Sequence, residues 1–312
     1  MDRRPQGTQL PLDDPAWVPD EHFLAPYVFT TTDDPLATPS LGGTLANGVR
    51  GDTIVGVYYD SSGNAHGFVY DDRDHIWTTL DNPLAVGVSG NVDISGDSII
   101  GVYLDSDQNW HSFLYDGGTW TTLDYSLAAP GLGGGTFVVG ITGDNIVGFY
   151  VDASGVNHGL LYRIRDRAWS AFDAPQAGTA SGQGTFGEGI CDGTIVGYYL
   201  DSGSVEHAFF YDGGTWTTFD APQAGTASGQ GTDFGGVSGH AVVGSYIDSN
   251  GLGHGFVYDR CNFTVLNNPD AGTGSGQGTF CSNGDGYHIV GTYIDSNGDF
   301  NGYLAVPVRG QP

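Results

Sequence analysis

The chain of 312 residues contains no lysine, nine arginines and a formal net charge of −27. Nucleic acids and anionic lipid surfaces are recognised by basic patches, so a nucleic-acid partner and membrane insertion are both excluded as expectations. Cationic partners and metal ions remain open. Only three cysteines are present, Cys191, Cys261 and Cys281, and none has CxxC spacing. Neither a disulfide framework nor a zinc ribbon is indicated, and at most one bridge could form. No run of 18 apolar residues occurs, and residues 1–26 lack the apolar core of a signal peptide, although a leader removed upstream would leave no trace. No segment sustains a 3.6-residue period, so helix should be almost absent.

What the chain has in abundance is repetition. The stretch Ile195-Val-Gly-Tyr-Tyr-Leu-Asp201, continued by His207-Ala-Phe-Phe-Tyr211 and Trp216-Thr-Thr-Phe-Asp220, recurs along nearly the whole sequence. Its glycine falls at Gly56, Gly101, Gly148, Gly197, Gly244 and Gly291, six copies at a spacing of about 47 residues. Each core ends in an aspartate (Asp60, Asp105, Asp152, Asp201, Asp248, Asp295), followed six residues on by a histidine in five copies and by Asn301 in the last. Alternating β-branched and aromatic residues, broken by Asp-Gly and Gly-Gly turns, read as four short strands per copy. In the fourth copy these are Thr185–Cys191, Thr194–Leu200, His207–Tyr211 and Trp216–Phe219. Glycine at the Gly197-type position is expected to let neighbouring blades approach closely.

The two ends are complementary. Phe29-Thr-Thr-Thr-Asp33 matches the fourth strand of a repeat without its first three, whereas the last repeat has three strands and lacks its fourth. A ring that borrows its N-terminal strand leaves no open sheet edge, so the sequence predicts an all-β fold, a six-bladed β-propeller of four-stranded blades closed in this way. A β-helix or stacked solenoid leaves the split repeat unexplained. The expected organisation is an extended arm over 1–27, pinned by Trp17 and Phe23, a propeller over 28–306 and a tail over 307–312, forming a monomer.

The pattern V-G-x-Y-x-D-x-x-G-x-x-H-[GA]-F followed by T-T-[FL]-D-x-P-x-A resembles the HAF repeat family of bacterial proteins across about residues 28–305. The resemblance implies an extracellular or periplasmic location and no particular reaction. The chain departs from the pattern at Ser112, Leu160, Tyr125-Ser126 and Asn301.

Three features could carry chemistry. The Asp hairpins place oxygen ligands at alternate positions, as in Asp295, Asn297 and Asp299, which resembles the opening of a calcium loop and makes Ca2+ the one candidate cofactor. No copy continues to a distal glutamate, and structural turns are the competing reading. The histidines occupy equivalent positions in different blades, too far apart to share one ion, and are expected to bond a neighbouring blade or their own hairpin aspartate. The near-identical connections at 177–187, 224–234 and 271–280 should share one rim with the hairpins and present Gln183, Gln230 and Gln277 to a ligand. Their G-x-G-x-x-G match precedes a strand where a dinucleotide site needs a helix, and no G-x-S-x-G or Walker A sequence is present. Asn262-Phe-Thr264 is a sequon of weak specificity.

The inner strands should line the channel, and there the copies diverge. Asn47, Asn91, Phe186, Asp233, Phe234, Phe280 and Asn283 are candidates for contact with a ligand. Glu188, one of only three glutamates, stands where the other copies carry Asn47, Val92, Val139, Gly235 and Ser282. If any group works as a general acid or base it is Glu188, with Asp93, because a carboxyl in a narrow channel has its pKa raised toward neutrality. Two functions follow: a non-catalytic propeller that binds a small polar molecule or glycan at the loop-bearing mouth, or a hydrolase, lyase or isomerase at that mouth.

Overall fold

The computed structural model describes residues 26–191, 193–238, 241–259 and 262–308. Residues 1–25 of the arm expected over 1–27, with Trp17 and Phe23, and residues 309–312 of the tail expected over 307–312 lie outside the described residues, as does Cys261. Twenty-four strands and a single 3-10 turn at Pro39–Leu41 make up the regular structure among them. They form a six-bladed β-propeller. Blades 1 to 5 span Thr44–Thr79, Ser89–Leu123, Gly135–Phe172, Gly184–Phe219 and Gly231–Leu266, and blade 6 runs from Gly278 to Pro307. In blade 4 the strands are Gly184–Cys191, Thr194–Leu200, Glu206–Asp212 and Thr215–Phe219, within a residue of the sequence reading.

Closure follows the complementary ends. Strand Tyr27–Thr31 pairs antiparallel with Phe300–Pro307, placing Phe29 opposite Ala305 and Thr31 opposite Tyr303. The pairing continues through Thr32 N–H to the Gly302 carbonyl (2.9 Å) and Gly302 N–H to Asp33 Oδ1 (3.0 Å). The cores lie between blades. One cluster joins Val196 and Ala208 of blade 4 to Phe234, Tyr246 and Phe256 of blade 5, and another joins Ala46 and Phe68 of blade 1 to Val290 and Leu304 of blade 6.

Every inner strand carries a β-bulge opposite the repeated glycine, skipping one residue of register: Asn47, Val92, Val139, Glu188, Gly235 or Ser282. This corrects the expected role of the glycine. A Cβ at Gly197 would lie 2.1 Å from the Phe186 carbonyl oxygen, so the close approach is to the inner strand of its own blade. Contact with the neighbouring blade falls instead on inner-strand glycines such as Gly140, whose Cβ would lie 2.4 Å from the Glu188 carbonyl oxygen.

The polar residues of the repeat wire each blade together. His66, His111, His158 and His207 bond Asp81, Asp124, Asp173 and Asp220 at the end of the outer strand through Nδ1, at 2.7–2.9 Å. His254 meets Asn267 at 3.3 Å. On its other side His111 bonds its own hairpin Asp105 at 3.1 Å, as the sequence suggested, whereas the outer-strand partner was not foreseen. Each ring stacks on the repeat tyrosine, with centroids 4.7–5.1 Å apart. Burial alone would lower the pKa of His66 and His111, but hydrogen bonds and charges from the flanking aspartates raise both.

Candidate functional site

The antiparallel order within a blade puts the inter-blade connections and the hairpins between second and third strands on one rim. They bond there, as Glu206 N–H to the Gln230 carbonyl (2.9 Å) and Asn157 N–H to the Gln183 carbonyl (2.8 Å). Inner strands start at this loop-bearing rim and end at the opposite one, with the bulges between.

Two chambers lie along the axis. The one toward the loop-bearing rim, about 260 Å3, is lined by the bulge residues Asn47, Val92, Val139, Glu188, Gly235 and Ser282 and by Asp233, Ser245 and Phe280. The other, about 240 Å3, is lined toward the far rim by Arg50, Ser95, Thr142 and Asp285. Asp93 and Asn283 stand at the divide. Asp93 Oδ1 accepts from Ile94 N–H and from Asn283 Nδ2, and Oδ2 accepts from Ile141 N–H, all at 2.8 Å. These bonds tie blades 2, 3 and 6 together across the axis. Burial pushes the Asp93 carboxyl up to about 7, against the lowering effect of the three donors.

Glu188 therefore does not work beside Asp93, as the sequence reading paired them; the carboxyl sharing its chamber is Asp233. Among the described residues Glu188 has no hydrogen-bond partner, and burial, then the nearby Asp233 charge, raises it well above the usual carboxylate range. Asp233 is raised to about 7, first by burial and next by the Glu206 charge, while the Ser245 N–H bonded to its Oδ1 at 3.0 Å opposes the rise. Burial raises Glu206 as well. Tyr198, packed on Phe186 at 4.6 Å, is pushed far above its ordinary value by burial and then by the charges of Glu188, Asp233 and Glu206.

Several predicted contacts prove structural. Phe234 is fully buried between blades 4 and 5. Asn91 is fully buried and donates to the Phe68 carbonyl at 3.0 Å. Phe186 is buried against Phe149 and Tyr198. The loop glutamines turn inward: Oε1 of Gln183, Gln230 and Gln277 accepts the N–H of Ala180, Ala227 and Gly274, at 2.8–3.1 Å. Asn47, Asp233, Phe280 and Asn283 do reach the chamber. Glu206 and Tyr198 were missed, although Glu206 replaces Ala65, Trp110, Asn157, Gly253 and Phe300 of the other copies, a signal the sequence carries.

The hairpin geometry matches the structural-turn alternative to calcium. Asp295 Oδ1 accepts from the N–H groups of Asn297 and Asp299 at 2.8 and 3.0 Å, and the Asn297 amide donates to Oδ2 at 3.1 Å. Every hairpin repeats this turn, and its oxygens are used within it. Among the described residues no group of three His, Cys, Asp or Glu could hold a metal ion. Cys281 is a free, buried thiol that burial pushes up to about 12.

The fold is similar to the fucose-recognising lectin of Aleuria aurantia, a six-bladed β-propeller, at 18% identity and a TM-score of 0.56, covering 85% of this chain and 95% of that one. A complex of that lectin with α-methyl-L-fucoside gives 15% identity and a TM-score of 0.56, covering 86% and 95%. TolB of Acinetobacter baumannii gives 13% identity and a TM-score of 0.53, covering 84% of this chain and 65% of TolB. At these identities the likeness concerns the fold. No protein-family model and no curated protein matches the chain. No helix among the described residues is long and apolar enough to cross a membrane.

Proposed function

We propose that the protein is a non-catalytic binding propeller, extracellular or periplasmic as its resemblance to HAF-repeat proteins suggests, that takes a small polar molecule or glycan at the loop-bearing mouth of its channel. The observation that carries this reading is the Glu188 chamber: a polar cavity in whose wall the Glu188 carboxyl has no hydrogen-bond partner among the described residues. Buried polar groups are ordinarily paired, and one left without a partner at the wall of a cavity is satisfied by what enters it. Carboxyl, amide and hydroxyl groups from Glu188, Asn47 and Ser282 offer the donors and acceptors that sugar hydroxyls require. The similarity in fold to a fucose lectin supports a saccharide.

An acid–base enzyme is the second reading, favoured by one observation, the two raised carboxyls of Glu188 and Asp233 in one chamber. A glycan array followed by calorimetry on the Glu188→Gln variant separates the two. A binder keeps its ligand with a change of about 1–3 kcal/mol. An enzyme that turns the glycan over loses roughly 10²–10⁴-fold in rate. A blank array refutes the saccharide reading.

A further inference from the structure

We infer that the chamber selects a ligand bearing an ammonium group on a monosaccharide-sized or smaller body, with the ammonium held between Glu188, Asp233 and the aromatic wall beside them. The inference rests on the chamber's being a binding site and adds the charge of what binds. Its first support is convergence. Glu188, Tyr198, Glu206 and Asp233 all depart from their repeat; Glu188 and Asp233 line one chamber, Asp233 acts on Glu188, Glu206 acts on Asp233, and all three acids act on Tyr198. Asp233 stands where the other inner strands carry Leu45, Gly90, Phe137, Phe186 and Phe280. Tyr198 stands where they carry Val57, Val102, Phe149, Ser245 and Thr292. The fold is built five times over without these acids, so closing the ring does not explain them.

The second support is the lack of a counter-charge among the described residues. The arginines among the described residues are Arg50, Arg73, Arg163, Arg165 and Arg167. Arg50 and Arg163 end an inner and a third strand, and the other three sit in turns between third and outer strands. Both places belong to the rim opposite the loops. Among the described residues, the chamber lining contains no arginine and no histidine. The rim histidines are already bonded to Asp81, Asp124, Asp173, Asp220 and Asn267. Carboxyls buried together without a cation must keep a proton, and an incoming ammonium would replace that proton with an ion pair.

An aromatic face supplies the rest. Phe280 is the aromatic residue in the chamber lining, and Tyr198, close enough for the Glu188 and Asp233 charges to act on its hydroxyl, stacks behind the lining on Phe186 at 4.6 Å. Aromatic faces beside carboxylates are the surroundings in which organic ammonium groups are bound. A neutral sugar would use the hydroxyl-bonding groups and leave the carboxyls without a counter-charge.

The test is calorimetry on the full chain at pH 7 with D-glucosamine, N-acetyl-D-glucosamine and L-fucose as probes. Glucosamine should bind at least tenfold more tightly than either neutral sugar and lose at least tenfold in Glu188→Gln. A second variant, Asp233→Phe, restores the residue that sister blades carry at that position; it should fold and also lose glucosamine. Glucosamine affinity should fall from pH 7 to pH 5, a range in which the sugar stays mainly an ammonium ion, as Glu188, Asp233 and Glu206 take up protons beside the neutral Tyr198. Neutral sugars bound as tightly as glucosamine, or glucosamine binding indifferent to both variants, overturns the inference and leaves the saccharide reading standing. Binding of none of the three overturns it as well, and the glycan array then decides the broader reading separately.

Discussion

Removing the face of the closing strand that turns toward the core should open the ring, and a pair of single substitutions separates that effect from a general loss of β propensity. Phe29 is half-buried, packs on Tyr303 at 5.4 Å and belongs to the cluster around Ile289, Tyr293 and Ala305. Its neighbour Val28 is 55% exposed. Truncating a fully buried phenylalanine costs about 3–5 kcal/mol, so Phe29→Ala should cost roughly half, about 2 kcal/mol. In a chain of this size that lowers the melting temperature by about 3 °C. Val28→Ala should stay within about 0.5 kcal/mol of the parent. Deleting residues 1–33 goes further: it strips the hydrogen bonds at Gly302 and the Thr31 hydroxyl bond to Tyr293, and it uncovers Tyr303 and Ala305, both 0% exposed in the closed ring. The bared edge should aggregate. Scanning calorimetry with light scattering reads both effects. Equal melting of Phe29→Ala and Val28→Ala, or a truncated chain that melts like the parent, would refute closure by an exchanged strand.

Gly197→Ala should cost about 3 kcal/mol or more, since the new methyl meets a backbone carbonyl that cannot give way; parent-like urea unfolding would show that the bulge adapts. The pH profile of stability should peak near pH 5. Asp105, held at about 2 chiefly by the Asn109 N–H, contributes stability above the unfolded carboxylate pKa of about 4 that is lost as pH falls toward 2. Asp93 and Asp233, raised to about 7, keep protons that the unfolded chain has released, so stability falls as pH rises from about 4 to 7. The raised pKa values of His66 and His111 act the same way, their contribution being lost as pH rises through the folded values. Melting temperatures highest at pH 8 would contradict this. Millimolar calcium added after chelation should leave the melting temperature unchanged, because the hairpin oxygens already accept N–H bonds; a rise of several degrees would restore the metal reading.

The architecture was legible because each copy of V-G-x-Y-x-D encodes the same strands and turns, and because the unmatched Phe29-Thr-Thr-Thr-Asp33 had one place to go. The site was legible only where it broke the repeat. Glu188 was found as the residue unlike its five counterparts, and the bulge then turned that position into the chamber. Phe234 was misassigned because a bulge changes which residues face the axis. It pairs with the repeat glycine Gly244 and is buried between blades, while Asp233, one residue earlier, meets the chamber. The glutamines were misassigned for another reason: a polar side chain in a loop reads the same whether it awaits a ligand or bonds its own backbone. Gly178 shows which holds, since a Cβ there would lie 2.2 Å from Gln183 Oε1, leaving the glycine as the space into which the amide folds.

The acids on the axis fall into two kinds, and the difference bears on what the chain retains them for. Asp93 is fully engaged, and its donors tie blade 2 to the neighbouring blade 3 and, across the axis, to blade 6, with which it shares no side, so its cost of burial is offset by fastening the ring. Glu188 has no such return. It is desolvated, faces a second carboxyl, and accepts no hydrogen bond from the described residues, so in the unliganded protein it lowers stability near neutral pH. Sister blades carry asparagine, serine, valine or glycine at the same bulge and fold without that cost. A residue that violates the rules its repeat obeys elsewhere, with no compensating contact among the described residues, is what the proposed binding site would account for.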